Sequence, residues 1–201
     1  MQNKKKTNLR YLIELALLMA ILLMMNITGL AMIPLPGQYA SIMTVPVAVG
    51  AMMLGPLAGT VLGTTMGCIS FYTAVKTGFA TMTLAGYSGA TMIILCLVNT
   101  IVTRALMGFC TGWVFKAICY YVGGIAAPLL NTLFYMTVLV IVFLNAPNIA
   151  AVLGEDLLYK LQHNAVLFVA AYVGVQALIE AAVGCIISGS ICKVLKVALK
   201  K

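Results

Sequence analysis

MTVPVAVGAMMLGPLAGTVLGTTMG, residues 43–67, is a pair of uncharged apolar segments joined at Gly55-Pro56. Proline has no amide hydrogen and fixes its own φ, so this dipeptide predicts one helix ending near Leu54 and a second beginning at Pro56, a position that suits proline. From the joint onward Gly55, Gly59, Gly63 and Gly67 recur at every fourth position. On a helix that spacing stacks them on one face and leaves a smooth groove for a neighbouring helix, the usual meaning of a glycine stripe in lipid.

The rest of the chain fits the same solvent. Of its 201 residues 63% are hydrophobic and 8% charged, where a soluble domain carries roughly 25% charged residues. An all-α integral membrane protein is expected: long apolar runs without alternation favour helices over a barrel. At about 20 residues per crossing the length suits a single membrane domain over 1–201, a bundle of six transmembrane helices with no separate soluble part. The net charge of +8 gathers at the ends, on Lys4, Lys5, Lys6 and Arg10 and on Lys193, Lys196, Lys200 and Lys201, with Lys116 in an inner loop. That distribution is a topology signal and not a nucleic-acid surface. It places both termini in the cytoplasm, which requires an even number of spans. Six cysteines, at 68, 96, 110, 119, 185 and 192, form no C-x-x-C pair and lie in apolar runs. They read as small buried hydrophobes, with no metal or disulfide framework. The run from Leu15 to Ile33 is long for a signal peptide and reads as the first span.

In order, the expectation is a basic mobile tail over 1–10, a first helix over 11–30 and an outer loop over 31–40, where two prolines and a glycine break the pattern. A short second helix occupies 41–54 and a third runs from the joint to about Thr73. The outer loop 74–88, rich in Gly, Thr and Tyr, is placed to fold over a site. A fourth helix covers 89–115 and a fifth covers 119–144, kinked at Pro128. The polar outer loop 145–164 carries a short surface helix, and a sixth helix covers 165–194. Glu14 sits near the cytoplasmic end of the first helix, where a charge is inexpensive and structural. Ala16 and Ala20 form a small-xxx-small pair.

No G-x-x-x-x-G-K-[ST] loop is present, so ATP hydrolysis by that route belongs to partners, and no H-E-x-x-H is present either. His163 is read as interfacial, and adjacent Glu155 and Asp156 would point apart on a helix, against a carboxylate dyad. An intramembrane enzyme is disfavoured. The remaining buried polar groups are Asn99 and Arg104 on the fourth helix, Asn131 and Thr132 on the fifth, and Gln176 and Glu180 one turn apart on the sixth. One reading makes them interhelical glue, with Arg104 and Glu180 as an internal ion pair. The other makes all six a pocket for a small polar solute, with the outer loops as lids. Depth along the helices puts Asn99 and Gln176 at one level and Arg104 and Glu180 deeper.

IPLP at 33–36, VPVAVGAMMLGPLAG at 45–59 with Gly63 and Gly67, and Ala16-x-x-x-Ala20 together resemble the substrate-binding S components of energy-coupling factor (ECF) vitamin transporters. Within that family ASIMTVPV at 40–47, TRALMGFCTG at 103–112, LNT at 130–132 and ALIEAAV around Glu180 resemble the pantothenate-type and hydroxymethylpyrimidine-type members. The chain has Thr44 where that group often has histidine. The resemblance implies a six-helix subunit of the bacterial cytoplasmic membrane that holds no cofactor of its own. It would capture a vitamin or precursor from outside and topple in the lipid on a complex with a transmembrane coupling subunit and two ATPase subunits. The resemblance turns the Ala16/Ala20 face toward the coupling subunit. A membrane scaffold without solute is the rival reading.

Overall fold

A computed structural model describes residues 2–35, 38–117, 120–149 and 152–198. Pro36, Gly37, Cys119, Lys200 and Lys201, invoked above, lie outside them. Helix α1 (Gln2–Ile27) leads to a two-stranded antiparallel hairpin, β1 (Met32–Leu35) and β2 (Gln38–Ser41). Then follow α2 (Thr44–Leu54), α3 (Pro56–Lys76), α4 (Ala80–Leu84) and α5 (Gly89–Leu97). A π-helical turn, Val98–Val102, passes α5 directly into α6 (Thr103–Ala117). Helices α7 (Tyr120–Leu144), α8 (Glu155–His163) and α9 (Ala165–Val183) come next, and a second π turn, Gly184–Ser188, joins α9 to α10 (Gly189–Ala198).

Among the described residues, four stretches are long and apolar enough to cross a membrane: Leu9–Ile27, Gly89–Phe115, Tyr121–Leu144 and Ala165–Leu195. Most of their outward side chains are apolar, Ile27, Val175 and Leu178 among them, as lipid favours. The two remaining long elements are unusual. Helix α2 is 11 residues, about 16 Å at 1.5 Å per residue, half of a ~30 Å hydrocarbon core, and every residue from Thr44 to Met52 is buried. Helix α3 is 21 residues but rich in glycine and threonine, and its inner face lies against α1, α2 and α6. Leu22, Val47, Leu62, Met66 and Met107 close the core around this pair. A second cluster, with Leu139, Phe143, Leu161 and Phe168, closes the end of the bundle beside α4 and α8.

The glycines explain how α3 is held. A Cβ on Gly59 would run into the carbonyl oxygen of Gly108, and one on Gly108 into that of Gly59; Gly63 meets the backbone of Arg104 and Gly67 that of Ile101. The stripe is therefore an internal crossing in which two backbones touch. Gly55 is not part of it. Nothing lies near its missing Cβ, but its φ is +100°, a left-handed-side conformation that links two helices without a connecting loop and suits glycine. Gly55→Ala should cost about 1–2 kcal/mol through backbone strain alone. The thermal midpoint in detergent should drop by roughly 2–8 °C; an unchanged midpoint would contradict the strain.

Two expectations are corrected. The basic segment 1–10 is not a tail from its second residue on: it opens α1, because Lys and Arg favour helix and no breaker separates them from Tyr11. Arg10 Nε donates to Glu14 Oε1 at 2.8 Å one turn away. The segment expected as a loop at 31–40 is largely hairpin, with Pro34 opposite Tyr39 in a sheet that has only edge strands, where proline is tolerated. Pro128 lies inside an unbroken α7. It packs, with Gly124, against Gly184, so the helix crossing falls where proline removes an intrahelical donor.

Candidate functional site

Four elements line a half-open cavity of about 250 Å³ at the α4 end of the bundle. The C-terminal part of α3 presents Ser70, Thr73, Ala74 and Thr77 to it, a spacing that puts all four on one helical face. Phe79 to Met82 cross its rim, entering α4 through a turn with Gly78 and Phe79 both at positive φ. From the opposite side come Cys96, Asn99, Thr100 and Arg104, and α7 contributes Tyr135 and Leu139.

The π turn accounts for the placement of Asn99 and Thr100. An i→i+5 turn inserts one residue into the helical register, which rotates the side chains before it relative to those after it. Here it brings Asn99, Thr100 and Arg104 to a common wall. One Arg104 terminal nitrogen donates to the Thr100 carbonyl at 3.1 Å, and the guanidinium lies 5.5 Å from the centre of the Tyr135 ring, a cation–π arrangement.

The hydrogen-bonding capacity of the cavity is lopsided. Ser70, Thr73, Thr77 and Thr100 each donate their hydroxyl hydrogen to a carbonyl of their own helix, at 3.1, 3.0, 3.0 and 2.8 Å. A hydroxyl so engaged keeps lone pairs and has no hydrogen left to offer. Two buried atoms of the same wall have no partner at all: Asn99 Oδ1, an acceptor, and Arg104 Nε, a donor. Leaving such buried atoms unpaired costs about 1–3 kcal/mol each, more when charged. Among the described residues no carboxylate reaches ion-pair distance of Arg104. The cavity thus offers one uncompensated cationic donor and several acceptors.

Of the six residues singled out in the sequence, Asn99 and Arg104 line this cavity; Asn131, Thr132, Gln176 and Glu180 do not. The expected Arg104–Glu180 pair is not formed. Glu180, 4% exposed, accepts through Oε1 from Gln176 Nε2 at 3.0 Å and from the backbone N–H of Ser41 at 2.7 Å. Asn131 has a buried, unpartnered Oδ1 of its own. The threonine and serine face of α3 and Tyr135 were missed. The i, i+3, i+4, i+7 spacing of 70, 73, 74 and 77 was the available signal. Ala16 and Ala20 lie exposed along α1, in a row with Leu9, Ile13, Leu23 and Ile27, all exposed.

Residues 10–191 match the family described as ECF transporter, substrate-specific component. No curated protein matches the chain.

Proposed function

We propose, from the premise that this chain belongs to the ECF transporter substrate-specific components, that it binds a carboxylate-bearing vitamin or precursor, pantothenate first, for uptake. Membership makes it a multi-pass membrane subunit of a transporter, not an enzyme, with a small-molecule solute and ECF coupling partners. The finer reading rests on one observation: Arg104 Nε and Asn99 Oδ1 are buried without partners on one wall of one cavity. A carboxylate would satisfy the guanidinium through charge-assisted bonds, and a solute hydroxyl or amide N–H would satisfy Asn99. A cavity of about 250 Å³ suits a solute of pantothenate size. The second reading, a neutral hydroxymethylpyrimidine, is favoured by the Tyr135 and Phe79 rings beside Asn99, which suit a flat heterocycle. Mass spectrometry of small molecules carried through purification of the folded subunit decides between them. A preparation without any bound solute, and with no affinity for either compound, would leave the scaffold reading standing.

In this reading the chain is one domain of six spans in the bacterial cytoplasmic membrane, with both termini inside and α4 and α8 outside. The hairpin together with α2, and α3, supply the two passages beyond the four apolar stretches. Labelling of cysteines introduced near positions 2 and 198 from opposite sides of the membrane would overturn this orientation. The exposed small-residue row of α1 meets the transmembrane coupling subunit, with two ATPase subunits behind it. Ala16→Trp or Ala20→Trp should abolish uptake and leave solute affinity within about threefold, because a bulky residue holds a neighbouring helix off without touching the cavity. A parallel loss of affinity would place these alanines inside the subunit's own packing.

A further inference from the structure

Glu180 is a buried carboxylate that the cavity does not use. Its Oε1 takes two donors, Gln176 Nε2 from one turn earlier in α9 and the main-chain N–H of Ser41 from 139 positions away. Ser41 ends β2, and α2 begins three residues later. The other main-chain group of Ser41 is also engaged: its carbonyl accepts from Thr44 Oγ1 at 3.3 Å. Ile42 N–H donates to the Ala31 carbonyl at 3.1 Å, closing the base of the hairpin. This is a half-buried strand-to-helix junction beside buried Ala31 and Met43, where an unpaired N–H is costly. A carboxylate is the strongest acceptor a side chain can bring to it. The Ser41–Glu180 bond ties α9 to the end of the hairpin.

We infer that Glu180 is a positioning residue and not a solute ligand: its carboxylate, steadied by Gln176, clasps the junction between the hairpin and α2 to α9. This goes beyond the solute reading and does not depend on which solute binds. The chain contains five serines, at 41, 70, 88, 188 and 190, so selective [15N]serine labelling of the detergent-solubilised, solute-free protein gives a spectrum simple enough to read. Ser41→Ala assigns the resonance. A main-chain N–H bound to a carboxylate resonates downfield and exchanges slowly. In Glu180→Leu the Ser41 amide proton should move upfield and exchange about tenfold faster or more. In Glu180→Gln, which keeps an acceptor oxygen, the shift should be partial and the exchange close to wild type. Should Glu180→Leu fail to fold, the wild-type and Gln spectra carry the test. A fast-exchanging Ser41 amide in wild type, or a resonance unmoved by loss of the carboxylate, overturns the clasp. So does an affinity for pantothenate that collapses in Glu180→Gln while the Ser41 signal stays in place. If wild type binds no pantothenate, the solute reading fails and the clasp is still judged by the amide.

Discussion

Arg104→Gln should weaken binding of a carboxylate solute by about 30–100-fold while leaving the folded subunit near wild-type stability. The magnitude follows from the worth of a hydrogen bond to a buried charge, about 2–3 kcal/mol, at 1.4 kcal/mol per tenfold. The stability expectation follows from the same geometry: removing an uncompensated guanidinium also removes its desolvation cost, which offsets the lost contacts with the Thr100 carbonyl and the Tyr135 ring. Comparison with the alcohol that corresponds to the acid sharpens the result. Wild type should prefer the acid by the same factor, and the preference should vanish in Arg104→Gln, because both differences report a single contact. If both solutes bind both proteins alike, the carboxylate does not meet Arg104. Asn99→Ala then becomes the informative variant, with a neutral pyrimidine as ligand.

Gly108→Val should be the most damaging single change in the protein. Gly108 and Gly59 each abut the other's carbonyl, so an added side chain has no flexible neighbour to displace; α3 and α6 must move apart along the whole row from Gly59 to Gly67. Overpacking of ordinary side chains costs about 1–3 kcal/mol, and a clash with main chain belongs at or above the top of that range. A thermal midpoint lower by roughly 6–12 °C in detergent is expected, or failure to accumulate as folded protein. Gly174→Ala is the control, since nothing stands near its missing Cβ and it lies within α9. Equal effects of the two substitutions would deny that the crossing is backbone to backbone.

Much of this architecture was legible because it is periodic. Four-residue spacing identified the face of α3 that meets α6, and apolar runs identified the four long crossings to within a few residues. Gly55 shares the spacing of the stripe and serves another purpose, and only its φ separates the two. The hairpin was not legible: a ten-residue apolar stretch with two prolines has no alternation to mark strands. Nor was the π turn, a change of register without a compositional signature. Depth reckoning along single helices put Glu180 near the level of Arg104, but depth does not give azimuth, and the carboxylate turns to Ser41. The cavity threonines had the right spacing, yet Thr60, Thr64 and Thr65 on the same helix bond back to their own carbonyls in the same way. Only the position of the π turn and Tyr135 decides which hydroxyls border the cavity.

The shortness of α2 and the low apolarity of α3 bear on how the chain enters its membrane. Neither segment matches the apolar stretches that partition into lipid unaided, and both are surrounded by later parts of the chain, α3 by α6 and α2 by α6 and α7. In the six-span reading their residence in the bilayer would wait on the synthesis of α6 and α7, which cover them. A substitution that spoils the Gly59–Gly108 contact would strand them at that stage, and would be seen first as a topologically mixed nascent chain, before any measurement of the finished protein.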